Sequence, residues 1–232
     1  MHVVMLLYPN LTQLDLTGPY EVFGRFPELT LDLVWKTRAP VADCRGLTIL
    51  PTHDFADCPQ ADILFVPGGP GQLALMEDEE VLGFLRRQAA GARYVTSVCT
   101  GSLVLAAAGL LKGRRATCHW LSLDQLALLG AVPVAERVVV DGAVVTGAGV
   151  TSGIDFALAL TAHIFGEARA RHAQLFMEYD PAPPFPGGSP ASSDPALVAQ
   201  IRAETASFQT RRAETARRVA ATLDQAAAGA GA

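Results

Sequence analysis

Cysteine is scarce in this chain, and what it fails to form is informative. Cys44, Cys58, Cys99 and Cys118 are the four present, unevenly spaced and without a C-x-x-C pair. Neither a disulfide framework nor a structural zinc site is expected from them. A chain of 232 residues, half of them apolar, can bury a core without disulfides, and thiols left reduced point to the cytoplasm. Long apolar runs are also missing: Gly, Thr or charge breaks each one well short of a bilayer span, so no membrane association is expected. The opening MHVVMLLYPN lacks a basic n-region and a small-residue cleavage site and is not read as a signal peptide. Excess positive charge is absent. The net charge of −5, with acids and bases intermixed, leaves no footprint for nucleic acid. Residues 67–71 (PGGPG) lack the Lys-Ser/Thr of a P-loop, which argues against phosphate binding there.

What is present is an alternation of short apolar runs with helical periodicity. Residues 2–8, 31–35, 61–66, 94–98 and 143–146 read as strands, and 116–118, 132–136 and 138–140 as short extended pieces. A helix opens around Asp15, and helices are expected over 79–91, 102–111, 121–129 and 154–165. A hairpin is expected around 40–46, and Asp141-Gly142 is a strong hairpin turn signal. The alternation predicts an α/β fold with a mostly parallel sheet sandwiched by helices. Residues 180–193 form a Pro/Gly/Ser linker, and Asp194-Pro195 then reads as an N-cap followed by proline at the first helical position. Leu197, Ile201, Thr205, Phe208, Val219 and Leu223 fall on one stripe of the amphipathic helix that follows. That stripe needs the main domain or a partner subunit to pack on, and residues 226–232 are expected to fray. The organisation is an α/β domain over 1–185 and a linker plus C-terminal helix over 186–232.

Cys99 carries the most information. A β-branched run ends in Val98-Cys99-Thr100-Gly101 and a helix starts at once. A cysteine at such an elbow is expected at the sheet edge, exposed, beside the free N–H groups of a helix start. Those groups and the helix dipole favour thiolate, against the competing reading of an inert core cysteine. Ligands of open α/β sheets sit outside the carboxyl ends of the strands, which brings in Asp15, Gly68-Gly69 and residues 147–149 beside Cys99. Asp15 could be an acid of the site, although an Asp there more often caps its helix. The amides around Gly69 could stabilise a developing negative charge. Thr100 could hold substrate or water, or be an ordinary helix-start threonine. His119 is the obvious partner for a Cys-His pair, yet Trp120 beside it suggests a packed setting. Cys118 reads as a buried spectator, Asp155 as a complement to its helix dipole, Arg114-Arg115 as a solvated or interface face, and His53, His163 and His172 as structural or surface.

Taken together, Asp15-Leu-Thr-Gly-Pro, Val66-Pro-Gly-Gly, Ser97-Val-Cys-Thr-Gly-Ser, Arg115-Ala-Thr-Cys-His-Trp and Thr146-Gly-Ala-Gly-Val-Thr-Ser-Gly-Ile-Asp resemble the ThiJ/PfpI superfamily, over roughly residues 1–190, and within it the isonitrile hydratase subgroup. The resemblance implies a flavodoxin-like fold, a homodimer, no cofactor and no metal. It maps the required residues onto Cys99, Asp15 and Thr100, with a small-molecule isonitrile as substrate. The activity implied is a cofactor-independent hydro-lyase, which adds water to an isonitrile through a cysteine thioimidate to give an N-substituted formamide. Gly149 and Val150 are then plausible walls of an apolar substrate pocket, and His119 and Gly69 accessories. Cys118 departs from the pattern, where Thr is expected. Competing readings are a glyoxalase or deglycase of the same superfamily, a protease built on a direct Cys-His contact, and a ligand-sensing domain without its DNA-binding part. Residues 190–232 hold one helix and no basic recognition surface.

Overall fold

The computed structural model describes the backbone of residues 1–230 and side-chain exposure through Gln225; the expected fraying of 226–232 thus falls on residues outside that description, in part or in whole. In chain order the elements are β1 (His2–Leu6), α1 (Gln13–Phe23), β2 (Thr30–Trp35), β3 (Val41–Ala42), β4 (Thr48–Ile49), β5 (His53–Asp54), β6 (Ile63–Val66), α2 (Gln72–Leu75), α3 (Glu79–Gly91), β7 (Tyr94–Val98), α4 (Gly101–Ala107), β8 (Arg115–Ala116), α5 (Gln125–Leu128), β9 (Val132–Pro133), β10 (Val138–Asp141), β11 (Val144–Gly147), α6 (Ser152–Phe165), α7 (Glu167–Phe176) and α8 (Pro195–Ala230).

The main sheet runs β10-β11-β7-β6-β1-β2-β5. Only the edge pair β10–β11 is antiparallel; all other neighbours are parallel. Both faces are covered, so β1 and β6 are apolar and buried throughout their centres rather than alternating. Phe23, Phe65 and Phe156 meet in edge and tilted contacts between the sheet and helices α1 and α6, an arrangement aromatic quadrupoles favour. The 40–46 hairpin is present as the separate β3–β4 pair. The 141–142 turn is displaced by one residue: Asp141 pairs with Val144, so the loop is Gly142-Ala143, with Gly142 at φ +64°. A positive φ at the first loop residue alone is the pattern of a type II′ hairpin, which suits glycine.

Two expected helices are shorter than their periodicity implied. The 102–111 segment is helical only to Ala107, because the chain turns at Gly109, whose φ is +80°. The 121–129 segment is irregular until α5. The expected strands at 132–136 and 116–118 shrink to the two-residue β9 and β8, which pair with each other outside the main sheet. Helices α2 and α7 were not anticipated: α2 is a single turn, and α7 follows α6 through Gly166, whose φ of +89° redirects the chain. The linker before α8 is exposed. Asp194 does cap α8, accepting from Ala196 N at 2.7 Å while its carbonyl receives Val198 N at 3.0 Å. Helix α8 packs on α4 and α5. The stripe it buries is the expected one from Ile201 onward: Val219 is buried and Ile201, Thr205, Phe208 and Leu223 are half-buried, with Arg212, Thr215 and Ala216 buried between them, while Leu197 is exposed. Among the described residues no helix is long and apolar enough to cross a membrane.

Candidate active site

The carboxyl ends of β1, β6, β7 and β11 converge on Cys99. Strand β7 stops at Val98 and α4 starts at Gly101, leaving two residues, Cys99 and Thr100, for the reversal; Cys99 takes φ +54°. Such a conformation is uncommon for a residue with a Cβ and marks functional sites when the surroundings enforce it. Here they do. Cys99 N donates to the carbonyls of Gly147 (3.0 Å) and Ala148 (2.7 Å). On the other side, a Cβ at position 101 would lie 2.1 Å from Val66 O, so only glycine lets α4 approach the end of β6 this closely.

Asp15 sits in the first turn of α1 but does not cap it. Its Oδ2 accepts from Gly68 N at 3.0 Å, across the gap between β1 and β6. It is fully buried, its Oδ1 has no partner at conventional hydrogen-bond geometry, and the side-chain group that faces the carboxyl is the Cys99 thiol. Burial, only partly offset by Cys99 and Gly68 N–H, raises its pKa to about 7. Asp15 is therefore largely a neutral acid below neutral pH and in both forms near it, a carboxyl able to donate a proton and to take one back.

Cys99 itself corrects an expectation. It is only 4 % exposed, not at an open sheet edge, because β7 lies inside the sheet and the loops after β6, β8 and β11 close over the elbow. Its pKa lies well above the usual thiol range. Burial is the main cause and the Asp15 carboxylate adds to it, while Thr100 N–H acts in the opposite direction. The helix-start amide is thus where the sequence puts it, but desolvation outweighs it. Thiol and carboxyl form one coupled acid pair, in which charge on either disfavours charge on the other.

Thr100 does not cap α4. Its Oγ1 receives Gly69 N at 3.0 Å and faces Gly69 O at 3.4 Å, clamping the loop after β6 to the elbow. Gly68 and Gly69 amides are thus engaged with Asp15 and Thr100, and neither is free for the anion-stabilising role expected of that loop. The loop must be glycine: at φ +139°, a Cβ on Gly69 would lie 2.3 Å from Thr12 N. His119 is half-buried, its Nδ1 receives Leu121 N at 3.3 Å, and burial followed by the nearby Arg212 charge lowers its pKa, so the ring is neutral. It has no bond to Cys99 among the described residues; it borders Gly149, whose Cβ would lie 3.2 Å from the ring's Cδ2. Gly149 and Val150 are half-buried in the loop between β11 and α6, on the same side as His119.

The remaining candidates are elsewhere or inert. Asp155 pairs with Arg137 and Tyr179, Arg114 and Arg115 are exposed, and burial pushes the Cys118 and Cys58 thiols to about 12. All four cysteines are unpaired thiols. Among the described residues no group of three or more His, Cys, Asp or Glu side chains could hold a metal ion.

Two residues near the site were not picked out from the sequence. Tyr8, at the end of β1, donates from its hydroxyl to Pro67 O at 2.9 Å. Arg212 reaches in from α8 and is 4 % exposed. The signal for Arg212 lay in the stripe pattern: it falls between Phe208 and Val219 on the inward face, where an arginine is out of place unless bonded.

The sequence profile of the DJ-1/PfpI family matches residues 1–163. The isonitrile hydratase of Pseudomonas putida is 52% identical over 224 residues, covering 97% of this chain and 98% of that protein. A glutathione-independent glyoxalase of Caenorhabditis elegans, DJR-1.2, is 30% identical over 129 residues, 55% of this chain and 69% of its own length. A crystal structure of a ThiJ/PfpI family protein from Pseudomonas syringae superposes with a TM-score of 0.90 at 43% identity, covering 93% of this chain and 90% of that one.

Proposed function

The chain belongs to the DJ-1/PfpI family, and from that premise we propose that it is an isonitrile hydratase acting through Cys99 and Asp15. The observation that carries this reading is the buried Asp15 carboxyl facing the Cys99 thiol with its pKa raised to about 7. Hydration of an isonitrile requires a nucleophile and an acid that can protonate carbon, then act as a base toward water. The near end-to-end similarity to the Pseudomonas putida hydratase supports the same reading.

The Asp15 carboxylate takes the Cys99 thiol proton, and the thiolate attacks the terminal carbon of R–N≡C, forming the S–C bond. Asp15 delivers its proton to that carbon, giving a thioimidate and leaving a carboxylate. Water then adds to the thioimidate carbon: Asp15 takes one proton from it and passes it to the imine nitrogen. Collapse of the adduct breaks the S–C bond and releases the formamide R–NH–CHO. The hydroxyl proton returns to Asp15 and the thiolate is regenerated. Thr100 holds the elbow and the Gly69 loop in register, and Gly149 and Val150 border the space for R. His119, neutral and turned to the Leu121 amide, serves as wall rather than as base.

We read residues 1–185 as one α/β domain and 186–232 as a linker and helix completing it. The enzyme works in the cytoplasm, in keeping with four free thiols, and as a homodimer. It needs neither cofactor nor metal and meets neither nucleic acid nor membrane. The test is incubation with cyclohexyl or aryl isonitrile, following the formamide by mass spectrometry. Turnover is expected from the parent and none from Cys99→Ala; parent turnover no higher than that of the variant overturns the reading. Consumption of methylglyoxal in place of isonitrile would assign the glyoxalase activity named for the nematode relative.

A further inference from the structure

We propose that Arg212, carried by the C-terminal helix, is a positioning residue of the Cys99 site: its guanidinium supplies the buried positive charge that favours the thiolate when substrate enters. Buried arginines are normally paired with a carboxylate, because an uncompensated charge away from water is costly. Arg212 is 4 % exposed, yet among the described residues it forms no ion pair. It is held instead by neutral acceptors. Nε donates to Gln72 Oε1 at 2.8 Å, and Nη1 donates to Ser122 Oγ at 2.7 Å and Gln209 Oε1 at 3.2 Å. The Phe208 ring lies 4.4 Å from the guanidinium carbon. Nη2 meets no acceptor among the described residues.

These acceptors lead to the two loops that flank Cys99. Gln72 N donates to Gly69 O at 3.2 Å, and Gly69 N donates to Thr100 Oγ1, so one arm of the guanidinium reaches the elbow through the β6 loop. Ser122 N donates to His119 O at 2.8 Å, so the other arm reaches the His119 loop. The ionisable groups that interact with the charge are Cys118, Cys99, Tyr8 and His119. Tyr8 is kept protonated by burial and by its bond to Pro67 O; Cys118 is held at about 12; His119 is neutral. Cys99, which Asp15 also faces, is the one group among them that the chemistry asks to become an anion. A planar, always charged fork fixed on two edges suits that task better than a lysine.

This inference rests on Cys99 being the reactive thiol and not on the identity of the substrate. The test is site-resolved alkylation by iodoacetamide as a function of pH, read by mass spectrometry on full-length protein. Arg212→Gln keeps an N–H donor near the Nε position that bonds Gln72 but removes the charge, and should raise the Cys99 alkylation midpoint by about one pH unit. Arg212→Lys should restore most of the shift. If isonitrile is turned over, Arg212→Gln should lower kcat with little change in KM, because the substrate is uncharged. A Cys99 midpoint equal to the parent's in folded Arg212→Gln, or a shift confined to Cys118, overturns the proposal. Should Arg212→Gln fail to fold, Gln72→Leu decides: it removes the Nε acceptor and should move the midpoint the same way by less, and an unchanged midpoint overturns the proposal. The alkylation needs no isonitrile, so failure of the hydratase reading and failure of this one are separate outcomes.

Discussion

A carboxyl that is useful as a proton donor at neutral pH is a burden to the fold at higher pH. Folded Asp15 holds its proton more tightly than the unfolded chain does, with a pKa of about 7 against 3.8. Its contribution to stability is therefore fully present below about 3.8 and is lost as pH rises through about 7; the full loss is on the order of 4 kcal/mol. Asp15→Asn cannot ionise and should escape it. In urea unfolding, the difference in stability between parent and Asp15→Asn should shift toward the variant as pH rises from 4 to about 8. A difference independent of pH would mean that Asp15 is ionised in the fold. The same variant should lose turnover by about 10²–10⁴-fold, the usual worth of general acid–base catalysis, so stability and activity should move in opposite directions. At this scale the sequence showed a cysteine at an elbow and an acid at a neighbouring strand end. It did not show that burial outweighs the helix-start amide at Cys99, because desolvation depends on which loops close over the thiol.

At the scale of elements, glycine has three different uses here, and they predict different outcomes on substitution. At Gly101 a Cβ would lie 2.1 Å from Val66 O and 2.7 Å from Pro67 O, backbone atoms that can move only if β6 or α4 moves. Gly101→Ala should therefore displace the elbow and lower both the melting temperature and Cys99 reactivity. Gly83 lies inside α3, where the nearest atom to an added Cβ is the flexible end of Arg87 at 3.4 Å. Gly83→Ala restricts the unfolded chain and favours helix, so it should stabilise by about 0.4–1 kcal/mol and raise the melting temperature by a few degrees. A fall in melting temperature would show that the Arg87 side chain cannot yield. The third use, redirecting the chain at positive φ, explains why helix 102–111 was overestimated. Its apolar periodicity continues past Ala107, but Gly109 turns the backbone and leaves Leu110 and Leu111 to pack from a loop. Helix α3, with Asp78 capping Val81 N and an apolar face free of interruption, was legible to the residue. Helix α2 was not, because one turn after a proline-glycine loop has no period to read.

For the molecule as a whole, the site is assembled from nearly the whole length of the chain, with Asp15 near one end and Arg212 near the other. The C-terminal helix is amphipathic, and the sequence left open whether it packs on its own domain or on a partner. It lies on α4 and α5 of its own chain. Exposed apolar side chains mark a candidate dimer face: on α7, Leu175 is 81% and Phe176 67% exposed, and Arg25 beyond the end of α1 lies over the Phe176 ring, with Tyr20 also exposed on α1. Apolar side chains left in water on α7 and α1 are a liability unless a second copy covers them. The homodimer proposed for this enzyme is therefore expected to bury the α1–α7 end. Phe176→Asp should convert a dimer to a monomer in sedimentation equilibrium while leaving Cys99 alkylation unchanged, because α7 supplies no residue to the site. A parent that sediments as a monomer would remove the homodimer. A Phe176→Asp dimer would move the interface to another face. A monomeric variant with altered Cys99 reactivity would show that the partner copy supports the catalytic loops.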